Sequence, residues 1–307
     1  MGVMGPAFEL AEASKTYYTW RRLRKTPVTG VREVSLAVPR GVIFGLLGLN
    51  GAGKTTTMKL LVGIMHPDAG AVRVLGGDVK DPGIRARIGF LPELPYLPLQ
   101  LGAVELLRCY GRMSGLAGTQ LESRVSTALE TAGLARGRPD PLHTFSKGML
   151  QRVALAQVLL HEPEVIFADE PMSGLDPAGV HEMRELLLRL KAAGITVCIN
   201  SHQIAEVERI CDRVGVMAAG RLVREGAVGE LLALAGTRRY RLVVLAKVPG
   251  GTGWGIEDIE VGEDALADVL QSQRARGARV LQIIAQRGSL EDVLLETIRQ
   301  AGPGHAS

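Results

Sequence analysis

The sequence predicts an α/β fold built on a mostly parallel sheet, and three observations carry that reading. The apolar runs "VIFGLL", "VIFADE" and "ITVCINS" have strand length and suit burial on both faces. Segments with apolar residues at helical spacing, "MLQRVALAQVLL" and "AGVHEMRELLLRLKAAG", lie between them. A glycine-rich turn, "GLNGAGKTT", joins the first run to a helical stretch, "GKTTTMKLLVGIM". Strands alternating with crossover helices build parallel sheets, because parallel neighbours need a long connection.

The elements follow in order. "FELAEASKTYY" and "TGVREVSLAVPRG" alternate apolar and polar residues and read as strands of an N-terminal antiparallel β-subdomain. The basic insertion between them, "TWRRLRKTP", is read as a solvated hairpin tip. The alternative sets Trp20 among anionic lipid headgroups. "HPDAG" is a turn, and "AVRVLG" and "ARIGFL" are strands. The pattern then becomes helical, giving a helical insertion over about residues 94–160. After "RVGVM" and the hairpin "VGVMAAGRLVREG", the helix "AVGELLALAG" closes a first domain of residues 7–235. Residues 236–307 alternate short strands and helices and form a small C-terminal α+β unit, expected to contact a dimer mate or another partner.

Bulk composition narrows the classes. Of 307 residues, 46% are hydrophobic and 22% charged, a balance that supports a sizeable core. Aromatics are 4%, so that core is aliphatic. Three scattered cysteines without a CxxC, and no signal peptide, point to a reducing cytosol. The histidines show no metal-binding spacing. No window reaches the roughly 18 apolar residues of a spanning helix, so membrane work needs another chain. The net charge of +4 is modest and by itself argues only weakly for an anionic partner.

"GLNGAGKT" fits the phosphate-loop pattern GxxxxGK[ST]. The loop residues Gly48, Leu49, Asn50, Gly51, Ala52, Gly53, Lys54, Thr55 and Thr56 are therefore expected to bind a nucleotide's phosphates. Gly51 and Gly53 let backbone N–H groups wrap the phosphates, Lys54 reaches the β- and γ-phosphates, and the Thr55 hydroxyl ligates Mg2+. "VIFADE" supplies the acids. Asp169 would hold the ion, and Glu170 would polarise the attacking water. A second anion site is foreshadowed at "HTFSKGMLQR". There Ser146 is an N-cap and Gly148 admits a close approach at a helix N-terminus.

The order "FSKGMLQR", "VIFADE", "PMSGLDP", "NSHQIAEVERICDRVGVM" closely resembles the ATP-binding cassette subunit of ABC transporters, over roughly Phe8 to Leu234. The tail "RGSLEDVLLETIRQ" resembles the C-terminal end of exporter subunits whose membrane subunit is a separate chain. The resemblance implies a P-loop NTPase in which two cassettes pack head to tail. Ser146, Lys147, Gly148 and Asp176 would then face the ATP bound to the partner cassette. Tyr17 matches the aromatic that stacks on adenine, with Tyr18 as an adjacent rival. His202 matches the histidine that contacts the γ-phosphate. Glu93 stands where glutamine is commonest, within reach of a magnesium-bound water.

The usual LSGGQ signature here reads "FSKGM". Lys147 would either add charge near the partner's phosphate or lean away into solvent, and Met149 loses an amide. Leu49 replaces a common proline. The expected function is an ATP-hydrolysing transport subunit with ATP and Mg2+ as cofactors. Its expected partners are an integral membrane permease and a second cassette, as a homodimer rather than a heterodimer, and no nucleic acid. It would sit peripherally on the cytoplasmic face of the membrane and drive export. The alternative is a soluble cassette ATPase of ribosomes or DNA. One cassette and no heptad run disfavour it.

Overall fold

Alternation along the first strand sends Phe8 and Leu10 inward and Ala11 outward. An irregularity at Glu12, with φ 50, re-phases the strand so that Ala13 is again buried. The computed structural model describes residues 5–21, 24–134, 140–234, 239–247, 254–286 and 288–300. The chain divides into two compact units. One comprises the chain to Gly226 together with that from Thr297, and the other spans Ala227–Glu296.

In the first unit β1 (Phe8–Arg21) pairs with β2 (Arg24–Val38) and with β4 (Ala69–Val74), both antiparallel, and β5 (Gly77–Asp78) pairs with β4. The expected basic insertion continues this pairing, down to Arg21 opposite Arg24. Arg22 and Leu23, and the Trp20 side chain, lie outside the described residues.

The second sheet runs β10-β9-β3-β8-β7-β6. Its parallel core is β3 (Ile43–Leu47), β6 (Ile88–Leu91), β7 (Val165–Asp169), β8 (Thr196–Asn200) and β9 (Arg213–Ala218). All five residues of β3 and of β8 are buried, as continuous apolar runs require. β10 (Arg221–Ala227) follows β9 through Ala219 and Gly220, both at positive φ, and so short a link fixes an antiparallel pair. Phe8 carries the first sheet onto the second through edge contacts with Phe44 and Phe167, at ring separations of 5.9 and 5.3 Å.

The helices fall as the periodicity predicts, with differences at the ends. α1 (Lys54–Leu61) stops earlier than expected, because Gly63 turns at φ 72 and Pro67 follows. α3 (Ala103–Met113), α4 (Gly118–Thr131) and α5 (Lys147–Leu159) bury Leu106, Leu107, Leu121, Leu129 and Val153 in a core of their own. α6 (Pro177–Ala192) is the crossover between β7 and β8. Two short helices escaped the sequence reading: α2 (Pro82–Arg85), capped by Asp81, and α7 (Ile204–Ile210).

The second unit holds α8 (Val228–Leu234), a three-stranded antiparallel sheet of order β12-β11-β13 and α9 (Leu266–Ala275). Its strands are β11 (Arg239–Lys247), β12 (Trp254–Gly262) and β13 (Arg279–Gln286), and Leu242, Val244 and Val261 form its core. α10 (Leu290–Gln300) ends the described chain.

Candidate nucleotide site

The sheet order sets the site. The loop after β3, the last residues of β7 and β8, and the segment after β6 all emerge at the strands' carboxyl ends, where α/β sheets bind ligands. They enclose a cavity of about 350 Å³. Tyr17, Asn50, Gly51, Ala52, Gly53, Lys54, Thr55, Thr56, Glu93, Asp169 and Glu170 line it.

Glycine is required locally. Gly53 precedes α1 at φ 102, and a Cβ there would lie 2.5 Å from the Gly30 carbonyl. The Lys54 ammonium is buried and donates to the carbonyls of Gly48, at 2.7 Å, and Leu49, at 3.1 Å. Those two residues therefore shape the loop through their backbones, and the Leu49 side chain is exposed. Burial holds the Lys54 amine below the usual lysine range, with Glu170 and Asp169 opposing.

Glu170 occupies the left-handed region at φ 49, a position that costs about 1–2 kcal/mol for a residue with a Cβ. Its N–H donates to the Asn200 carbonyl at 2.8 Å. Its carboxylate Oε2 lies 2.8 Å from His202 Nδ1 and accepts from the His202 N–H at 3.3 Å. These contacts aim the carboxylate at the cavity. Glu93 accepts from the Ser173 hydroxyl at 3.3 Å.

Tyr17, not Tyr18, faces the cavity, as strand alternation demands of neighbours. Its ring lies against Gly30, where an added Cβ would come within 2.5 Å of Cε2. Its hydroxyl is 3.0 Å from Thr56 Oγ1 and 3.1 Å from Met65 Sδ.

Ser146, Lys147, Gly148 and Asp176 do not line this cavity. Ser146 caps α5, its oxygen accepting from the Met149 N–H at 3.3 Å, which leaves the hydroxyl proton free to donate elsewhere. The Lys147 side chain runs over Gly174, whose added Cβ would meet Nζ at 2.3 Å. Asp176 caps α6, accepting from the Gly179 N–H at 3.0 Å. The sequence reading missed Val28, Thr29, Gly30 and Asn200, which also line the cavity. The first three come from β2 through pairing alone. Asn200 left a signal, a lone amide closing the apolar run "ITVCIN".

Among the described residues no three His, Cys, Asp or Glu side chains could hold a metal by themselves. The donors here are oxygens: Thr55, Asp169 and Glu93. That set fits a hard cation such as Mg2+, which keeps its waters and takes substrate phosphate oxygens.

Burial is the main cause that raises the Asp169 carboxyl above its ordinary 3.8. The Asn200 hydrogen bond opposes it, and the Glu170 and Glu93 charges push further up. A raised native pKa means the folded state binds the proton more readily than the unfolded chain, so this group's contribution to stability declines as pH rises through the native value. Asp169→Asn is therefore expected to raise the Tm of the nucleotide-free protein at pH 7, with a smaller gain at pH 5. Calorimetry in EDTA checks this; no gain at pH 7, or a larger one at pH 5, contradicts it.

A strand, a glycine loop with Lys54 and Thr55, and a second strand, one place removed in the sheet, that leads into two acids define a P-loop nucleoside triphosphatase. The ABC transporter family profile matches residues 31–173. An uncharacterised ABC transporter ATP-binding protein of Nostoc sp. is 40% identical over 287 residues, covering 89% of this chain and 84% of that protein. A fluoroquinolones export ATP-binding protein of Mycobacterium tuberculosis is 34% identical, over 90% of this chain and 89% of its own. Among solved structures, a dimeric ATP-binding cassette, MJ0796, in a post-hydrolysis state with ADP and Pi, is 25% identical. It has a TM-score of 0.63 and covers 72% of this chain and 98% of that one. This chain belongs to the ATP-binding subunits of ABC transporters, and it is an ATPase. Such a subunit works with a membrane partner. Among the described residues no helix is long and apolar enough to cross a membrane.

Proposed function

We propose that this ATPase powers export of a substrate through a separate membrane-spanning subunit, working as one of two identical cassettes on the cytoplasmic face of the membrane. One observation carries the pairing. The phosphate loop and acids share a cavity, while Ser146, Lys147, Gly148 and Asp176 stand outside it at helix starts. A helix start with a hydroxyl proton left to donate, outside its own chain's cavity, suits a phosphate brought by a second chain. The dimeric form of MJ0796 supports the pairing, and the fluoroquinolones exporter supports the direction. Residues 7–235 form the cassette in this reading. Residues 236–307 form an accessory domain for dimer or partner contact.

Each residue then has a task. Backbone N–H groups of Gly51 and Gly53 cradle phosphate, and Lys54 leaves its loop carbonyls for the β- and γ-phosphates. Thr55, Asp169 and Glu93 would hold Mg2+, which supplies charge neutralisation at the phosphates. Glu170 takes the proton of the attacking water, and His202 steadies Glu170 and the γ-phosphate. Tyr17 offers its ring to adenine.

The membrane partner is expected at the exposed Leu94 and Tyr96, with Leu97 beside them; Tyr96 is 93% exposed. The tagged chain, extracted from its native membranes in detergent, should carry a multi-span subunit with it. The Leu94→Glu, Tyr96→Glu variant should lose that subunit and keep its ATP affinity. Retention of the subunit by the variant would place docking elsewhere. Absence of any membrane subunit from the wild-type preparation would overturn the transport reading.

A further inference from the structure

β8 lies between β3 and β7, and its last residue pairs with both strands that carry the site. Asn200 pairs in register with Leu46 of β3, just before the phosphate loop, and with Asp169 of β7. It is 2% exposed and lines the nucleotide cavity. Its Nδ2 donates to Asp169 Oδ1 at 2.6 Å. An ionised carboxylate only accepts, so this contact fixes which way the amide faces. The other end, Oδ1, is buried with no hydrogen-bond partner. A buried acceptor left unmade bears its full desolvation, so such groups are filled by water or ligand. The backbone of the same residue holds the second acid, because its carbonyl accepts from the Glu170 N–H at 2.8 Å.

We infer that Asn200 is a positioning residue for the metal site: its amide N–H holds Asp169, and its free Oδ1 accepts from a water in the shell of the bound magnesium. The inference rests on the reading that Asp169 serves that ion. The chemistry of the partner follows from what surrounds Oδ1. Lys54 already donates to two carbonyls, and the flanking carboxylates of Asp169 and Glu170 have no proton to give when ionised. Lys54 keeps a third N–H, but in the proposed reading its charge turns to the phosphates, so the donor that fits Oδ1 is a water, and one bound to a divalent cation is a strengthened donor. A hard cation that keeps its waters leaves such donors for the protein to catch. Groups that orient a metal's ligands characteristically change metal affinity by about 10–100-fold when removed.

The probe is Mn2+, titrated by electron paramagnetic resonance into the full chain saturated with ADP. ADP affinity in EDTA is measured alongside it. Wild type should bind Mn2+, and Asp169→Ala should weaken that binding strongly. Asn200→Ala should weaken it about ten-fold or more, with ADP affinity in EDTA within about two-fold of wild type. Asn200→Ser, which restores a shorter donor and acceptor, should recover part of the loss. Should the alanine variant fail to fold, Asn200→Ser alone should still bind Mn2+ more weakly than wild type, with unchanged affinity in EDTA. Asp169→Ala impaired but Asn200→Ala equal to wild type would overturn the inference alone. So would an equal loss of ADP affinity in EDTA, which marks a merely structural role. Asp169→Ala with wild-type Mn2+ binding would instead overturn the reading of Asp169, and the inference with it.

Discussion

Lys54→Ala is expected to weaken ATP binding by two orders of magnitude or more while leaving the protein folded. The Lys54 ammonium is buried in the phosphate loop, bonded to the Gly48 and Leu49 carbonyls. In the proposed reading, ATP draws the same charge to two phosphates. Hydrogen bonds to charged groups are worth about 1.5–3 kcal/mol each, so losing two of them removes roughly 3 kcal/mol or more, a factor of over 100. Stability should move the other way or not at all. Burial already disfavours the charged amine, and the carbonyls it leaves belong to residues that are not buried, Gly48 and Leu49. Lys54→Arg should not rescue, because a planar fork does not fit where a point charge on a flexible stem is cradled. Isothermal titration with ATP and thermal melts read both quantities. Wild-type affinity in the alanine variant would remove the phosphate loop from the argument. A collapse in Tm would mean that Lys54 is mainly a structural clamp.

Much of this site was legible because its chemistry is local in sequence. Gly48 to Thr56 is a contiguous loop, and Asp169 and Glu170 are neighbours after an apolar run. Strand runs and helical spacing likewise located the parallel sheet, since burial on both faces leaves no polar alternation to confuse. What the sequence hid is what pairing decides. Gly30 reaches the cavity only because β2 runs beside β1, and Asn200 matters only because β8 falls between β3 and β7. Short elements were hidden for another reason. α2 and α7 span about one or two turns, too few residues for a period to show. The choice between Tyr17 and Tyr18 needed the strand's facing, which bulges along β1 reset.

Glu170→Gln is expected to lower the hydrolysis rate by two to four orders of magnitude, the usual range for loss of a general base, and to leave ATP bound. The substitution is close to isosteric. A glutamine Oε1 can still accept from the His202 N–H and leave the backbone at φ 49 in place, but it cannot take a proton from water. If Ser146 serves the opposite chain, each ATP in this variant bridges the phosphate loop of one protomer and the α5 start of the other. The open monomer lacks half of each site, so two bound ATP molecules favour the closed pair by linkage, and slow hydrolysis lets it persist. With ATP and Mg2+ the Glu170→Gln protein should elute as a dimer in size exclusion, and without ATP it should shift toward monomer. Adding Ser146→Arg is the decisive step. Ser146 is exposed at the start of α5, so arginine is accommodated in the monomer, but its bulk would stand where the second chain's phosphate arrives. Loss of the Ser146 cap costs about 1 kcal/mol locally, too little to unfold the protein. The double variant should therefore bind ATP through its own loop and run as a monomer. A double variant that binds ATP and still dimerises would show that Ser146 never meets the opposite phosphate. One that loses ATP binding as a monomer would show that Ser146 serves its own chain's nucleotide.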